Sequence, residues 1–375
     1  MNTRCAGFIG VVAVLFFACT EESTGPVRLN PPVDDTSGVD TTVIVRNPIS
    51  IEILGSATAQ VGQTVPLRVE AEDSASALRG PPTGIVWSSS DSTLIRVSST
   101  GIVTPLRIGN ALITASLATP RGFLRDTIMF TSFLSPYTFV FADTVPAGER
   151  RLILDGIQDA HEYHRFTFDR VITDSTIISA VYSATGCNQG GSAAFAGEHT
   201  ITFCLGNQGW KVHGPGIKQK IVQHELLHIW QFQQWGDPAK SPAWLIEGSA
   251  ELAGFRGLAA KGLLNFVTAV GCQRKESADF AINQPPGLPS LQSVESRQAF
   301  QSTAGPLYTH SMLGANFLAQ YGGGGFRVYG DSLKNGSTWQ GALKAAFGIS
   351  ADVFYGEFPA HIAGMEIPAA YLCRI

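Results

Sequence analysis

The stretch His224-Glu225-Leu226-Leu227-His228-Ile229-Trp230-Gln231-Phe232, followed by Pro242-Ala243-Trp244-Leu245-Ile246-Glu247-Gly248-Ser249-Ala250-Glu251, decides how the rest of the chain is read. Two histidines at i and i+4 project from one face of a helix, a spacing that suits a single metal ion. The glutamate between them is placed to reach a water on that ion. Leu226, Leu227, Ile229 and Trp230 make the remainder of the segment apolar, so the helix is expected to be mostly buried, and buried histidines need partners. A break at Asp237-Pro238 precedes a second helix. There Ser241-Pro242 reads as an N-cap with proline in the first turn, and Glu247 and Glu251 lie one turn apart.

Eighteen residues separate His228 from Glu247. With this spacing, and with Trp244-Leu245-Ile246-Glu247-Gly248-Ser249-Ala250-Glu251 matching a W-L-x-E-G-x-A-E context, the segment resembles the gluzincin metallopeptidases. The resemblance implies that His224, His228 and Glu247 hold Zn2+ and that Glu225 is the general base. Gln231 and Gln234 stand where a metzincin has glycine and a third histidine, which excludes that relative. Such a ligand set leaves the ion positively charged with an open position, where it acidifies a water and polarises a carbonyl. Related enzymes place a tyrosine at the start of a helix downstream. Tyr308, ahead of Met312-Leu313-Gly314-Ala315-Asn316-Phe317-Leu318, is the expected oxyanion donor, with His310 as its rival. Glu251 is expected to orient His224 or His228. The other histidines (His161, His164, His199, His213 and His361) lack ligand spacing and read as structural or exposed.

The first 18 residues have the form of an export signal. Arg4 supplies the positive start, and Phe8 to Ala18 is apolar but too short for a permanent membrane span. Phe16-Phe17-Ala18-Cys19 resembles a bacterial lipobox, which implies a lipid on Cys19 and a membrane-tethered protein of the cell envelope, outer membrane or cell surface. Ordinary signal cleavage and secretion is the alternative. Export makes disulfides the expected state of the four remaining cysteines. Of the three connectivities, the expected one joins Cys187 to Cys204 as a local loop closure and Cys272 to Cys373 as a tie for the C-terminus.

Residues 19–46, rich in Thr, Ser, Pro and Asp, read as a flexible linker. Residues 47–132 carry short alternating runs between turn signals, among them Ile49–Leu54, Pro66–Ala71, Gly84–Trp87, Leu94–Val97, Gly101–Thr104 and Ala111–Ala115. Val61-Gly62-Gln63-Thr64, Val86-Trp87-Ser88-Ser89-Ser90-Asp91 and Gly109-Asn110-Ala111-Leu112-Ile113-Thr114-Ala115 together resemble the bacterial immunoglobulin-like domains. That implies an all-β sandwich with Trp87 in its core, serving as a spacer or adhesive module. Residues 133–375 are expected to form an α+β, mainly helical, zincin-like domain. Its helices are placed at Ala147–His164 and at 216–235, 241–259, 305–321 and 336–347, with a long polar loop over 271–303. Thr200–Leu205 is expected to be the strand along whose edge an extended peptide lies.

The formal net charge of −4 over 375 residues, with 15% charged residues, excludes a nucleic-acid binder of the basic type. Hydrolysis of a peptide or protein substrate is the leading expectation. Gly197-Glu198-His199-Thr200 lacks the G-x-M-E-N segment of gluzincin aminopeptidases, which points to an endopeptidase. The alternatives are a non-catalytic surface-binding protein that retains the scaffold and zinc hydrolysis of a non-peptide bond.

Overall fold

The computed structural model describes residues 48–73, 79–182, 187, 191–283, 288–322 and 325–373. The expected export signal over residues 1–18, Cys19 and the expected linker 19–46 lie outside them. Val43–Ile375 forms one compact unit. Strands fill its N-terminal part and helices dominate thereafter.

Three sheets build the β region. Pro48–Leu54, Arg68–Asp73 and Arg79–Gly80 form one. Thr58–Gln60, Gly122–Phe133, Gly109–Thr119 and Ile85–Ser89 form the second, in that order. Val65–Pro66, Ile102–Pro105 and Ile95–Val97 form the third. The period-2 alternation sends Ile53 and Val69, Ile113 and Phe130, and Ile95 and Val103 from the three sheets into one shared apolar core. Trp87 is half-buried and packs at the rim of that core, against the backbone at Gly101. The longest strand, Gly122–Phe133, escaped the sequence pattern because its inward row is interrupted by Asp126. That carboxylate accepts a hydrogen bond from Ile53 N at 2.7 Å, joining two sheets.

The β region is tied by polar contacts to the helix Ala147–Phe168. Arg107 pairs with Asp155 at 2.7 Å and Asp159 at 2.9 Å. Gln158 accepts from Ile108 N and donates to Leu106 O, each at 3.0 Å, and Arg151 donates to Ile108 O at 2.8 Å. The helix in turn packs on Pro215–Trp235, which carries the two candidate histidines. The approach is close enough at Gly156 that a Cβ there would lie 2.7 Å from Val222 Cγ1.

A second mixed sheet supports that histidine helix. Its order is Tyr137–Phe141, Thr176–Val181, Thr200–Cys204 and Ala194–Ala196, with the last strand antiparallel to its neighbour. Thr200–Cys204 is therefore interior, and the edge expected there is supplied by Ala194–Ala196. The expected loop 271–303 is largely ordered: Phe266–Asn283 is a helix, Leu291–Val294 a 3-10 turn and Arg297–Ser302 a short helix. Leu291, Val294 and Phe300 are apolar anchors too widely spaced to register as a periodic pattern. Helices also occupy Leu307–Ala319, Gly325–Lys334, Trp339–Phe347 and Ala351–Gly364. Cys187–Cys204 and Cys272–Cys373 are both disulfide-bonded. Among the described residues no helix is long and apolar enough to cross a membrane.

Candidate metal centre

Two neighbouring helices create the site. Pro215–Trp235 starts with proline at its first position and stops at Gly236, whose φ is 77°. Ala243–Ala260 follows after a 3-10 turn capped by Asp237. Ser241 does not cap this helix. Its hydroxyl is buried against Tyr329 Oη at 2.9 Å, and the helix starts at Ala243 with Pro242 flanking. From Ala243 to Leu258 every residue but Arg256 is buried, which explains a sequence made of apolar and small residues interrupted by two glutamates. Gly248, directly after Glu247, meets the Ser311 carbonyl of the helix Leu307–Ala319, and a Cβ there would overlap it. This contact brings the tyrosine-bearing helix alongside the ligand helix.

His224, His228 and Glu247 are all buried and converge. His224 Nε2 and His228 Nε2 are 3.0 Å apart, and Glu247 Oε2 lies 3.3 Å and 3.4 Å from them. A tetrahedral ion with bonds of about 2.05 Å separates its donors by about 3.3 Å. The three atoms therefore stand at the corners that one Zn2+ would require, and two imidazoles with one carboxylate are donors it accepts.

The surroundings fix His228 and set a carboxylate near His224. Gln231 donates through Nε2 to Ile246 O at 3.0 Å and to Ser249 Oγ at 2.9 Å. Its Oε1 is thereby left as the acceptor for His228 Nδ1 at 2.8 Å. The Nδ1 proton leaves Nε2 with its lone pair directed at the ligand cluster. Glu251 Oε1 faces His224 Nδ1 at 3.6 Å, and its other oxygen holds Lys220 Nζ at 2.6 Å. Glu251 is thus beside His224, while the partner of His228 is Gln231. Arg297 pairs with Glu247 Oε1.

Electrostatics separate the two central carboxylates. Burial, with repulsion from Glu247 and Glu251, raises the Glu225 carboxyl above its ordinary range despite the two histidines. Burial also opposes ionisation of Glu247, but His228 and His224 outweigh it and hold Glu247 well below that range. Burial opposes protonation of His228, but Glu247 outweighs it and pushes His228 up to about 9, so the ring is held by charge as well as by hydrogen bonding until a cation displaces the Nε2 proton.

Tyr308 stands on the first turn of its helix, its ring 6.1 Å from that of His224 and edge-on to Phe300 at 5.4 Å. Tyr308 is 49% exposed, yet desolvation on its inner side, reinforced by Glu247 and Glu225, still moves its hydroxyl above the ordinary tyrosine range. His310 packs against Phe358 at 5.3 Å, and burial beside Arg274 lowers it to about 4. Of the two rivals, Tyr308 is the one that meets a candidate ligand. His164 is fully buried among Tyr163 and Phe168. His161 Nδ1 lies 2.9 Å from the Tyr137 hydroxyl.

Gln231, Arg297 and Lys220 were not singled out as functional by the sequence. Gln231 and Lys220 had a usable signal, being three residues after His228 and four before His224. Arg297 had none, since it comes from a distant segment.

No family model matches this chain, and no curated protein does. Among solved structures it is similar to native yeast LTA4 hydrolase, with 11% identity and a TM-score of 0.36 over 87% of this chain and 52% of that one. The chain spans about half the length of that structure.

Proposed function

We propose that this chain is a surface-tethered, zinc-dependent peptidase that cuts within peptide chains. The observation that carries the reading is the trio of His224 Nε2, His228 Nε2 and Glu247 Oε2, mutually 3.0–3.4 Å apart in a buried setting. Zn2+ held there supplies a Lewis acid and an acidified water. Glu225 accepts the proton of the attacking water and passes it to the leaving amine. Burial raises its carboxyl above the ordinary range, which makes it a stronger proton acceptor than a solvated glutamate. The Tyr308 hydroxyl, held protonated, donates to the oxygen on which negative charge develops. The short edge strand Ala194–Ala196 beside the histidine helix offers main-chain pairing to an extended peptide.

The β region is proposed to be the immunoglobulin-like module, and a lipid on Cys19 to be the tether. Both rest on the sequence motifs.

Metal content tests the central claim. The mature chain, purified from an oxidising compartment with zinc supplied, is expected to carry about one Zn2+ per molecule, as a three-ligand site requires. Glu247→Ala is expected to lose most of it. A folded, zinc-supplemented protein without zinc overturns the enzyme reading.

A further inference from the structure

Glu247 divides its carboxylate between two directions. Oε2 faces both histidine Nε2 atoms, whereas Oε1 is engaged by Arg297 Nη1. Arg297 opens the short helix Arg297–Ser302, where Ser296 Oγ accepts from Ala299 N at 3.1 Å. The preceding residues are fixed to the start of the ligand helix. Ala243 N donates to Glu295 O at 2.6 Å. The Glu295 carboxylate accepts from the Tyr355 hydroxyl at 2.6 Å, and that hydroxyl accepts from Trp244 Nε1 at 3.0 Å. The strap carrying Arg297 is thus registered against the helix that carries Glu247. Phe300, on the same short helix, meets Tyr308.

We infer that Arg297 is a positioning residue that keeps Glu247 a one-oxygen ligand, an inference that rests on the zinc reading above. A carboxylate can bind an ion through one oxygen or through both. With Oε1 held by a guanidinium, only Oε2 is free to turn to the metal, and a coordination position stays open for chemistry. A planar guanidinium suits the task because its donors point in fixed directions. The Arg297 side chain is 49% exposed, so water screens its charge and its role is directional.

Co2+ in place of zinc tests this, because four-coordinate cobalt absorbs visible light more strongly than five-coordinate cobalt. The full mature chain is stripped of metal, loaded with Co2+ and compared with Arg297→Met and Arg297→Lys. Metal-free melting curves check that each variant is folded, and Arg297→Leu replaces the methionine variant if that one fails to fold. The expected result is unchanged cobalt per chain with weaker absorption per cobalt in Arg297→Met. Arg297→Lys, which keeps a charged donor group, is expected to retain most of the wild-type intensity. Superimposable spectra for wild type and Arg297→Met at full occupancy overturn the role of Arg297 and leave the zinc reading standing. Wild-type protein that takes up neither zinc nor cobalt overturns the zinc reading, and this inference falls with it.

Discussion

The β region and the paired helices around Glu247 bury their residues on different terms. In the β core the buried set is almost wholly aliphatic or aromatic, and nearly every residue but Leu67 arrives there by simple alternation along a strand. Between the helices, His224, Glu225, Gln231, Glu247, Ser249 and Glu251 are buried next to Leu226, Trp230 and Trp244. Buried polar groups without partners cost about 1–3 kcal/mol each in proteins, and unpaired charges more. The first core is organised for burial alone. The second accepts a desolvation cost and offsets it with convergent hydrogen bonds, ion pairs and the metal proposed for it.

That contrast can be broken at several points. The largest effect is expected from Glu225→Gln, which keeps the shape but removes the proton acceptor. Peptide hydrolysis should fall about 10²–10⁴-fold, with zinc per chain unchanged. Hydrolysis at the wild-type rate would remove Glu225 from the mechanism. Next is Ile113→Ala in the β core, where Ile113 is fully buried. It should lower unfolding free energy by about 2–5 kcal/mol in denaturant titrations, while zinc per folded chain stays constant. Reduced zinc in the folded variant would mean that the two cores are not independent. The smallest effect is expected from Gln231→Leu, which removes the acceptor of His228 Nδ1. Zinc affinity, read by competition with a chelator, should weaken about 10–100-fold. An unchanged affinity would show that the helix backbone alone orients His228.

The parts of this molecule that were legible in advance share a physical property: their information is local. The i, i+4 histidines and the following glutamate lie on two successive helices, and helix geometry aims them without long-range help. Most of the short strands of the β region announce themselves by alternation, with ends displaced by up to four residues. The expected pairings of Cys187 with Cys204 and Cys272 with Cys373 are the ones present. The failures are non-local. Thr200–Cys204 reads as an edge because nothing in its residues reveals that Ala194–Ala196 folds back beside it. The strap Leu291–Ser302 reads as loop because it is held by three apolar anchors and by Glu295, not by a periodic face. Arg297 could not be chosen from among the arginines until the fold brought it to Glu247.

The contacts of Arg107 with Asp155 and Asp159, and of Gln158 with Leu106 and Ile108, bear on how such a protein is inherited. A β module joined only by a linker can be duplicated, deleted or exchanged by recombination without harm to its neighbour. Here a crossover near residue 133 would take Arg107 from Asp155 and Asp159, leaving them only Arg151 and Lys261, and would take from Gln158 its backbone partners, on a helix that packs against the histidine helix. Descendants of this chain should therefore keep or lose the two halves together, and Arg107 and Asp159 should change in concert when they change at all.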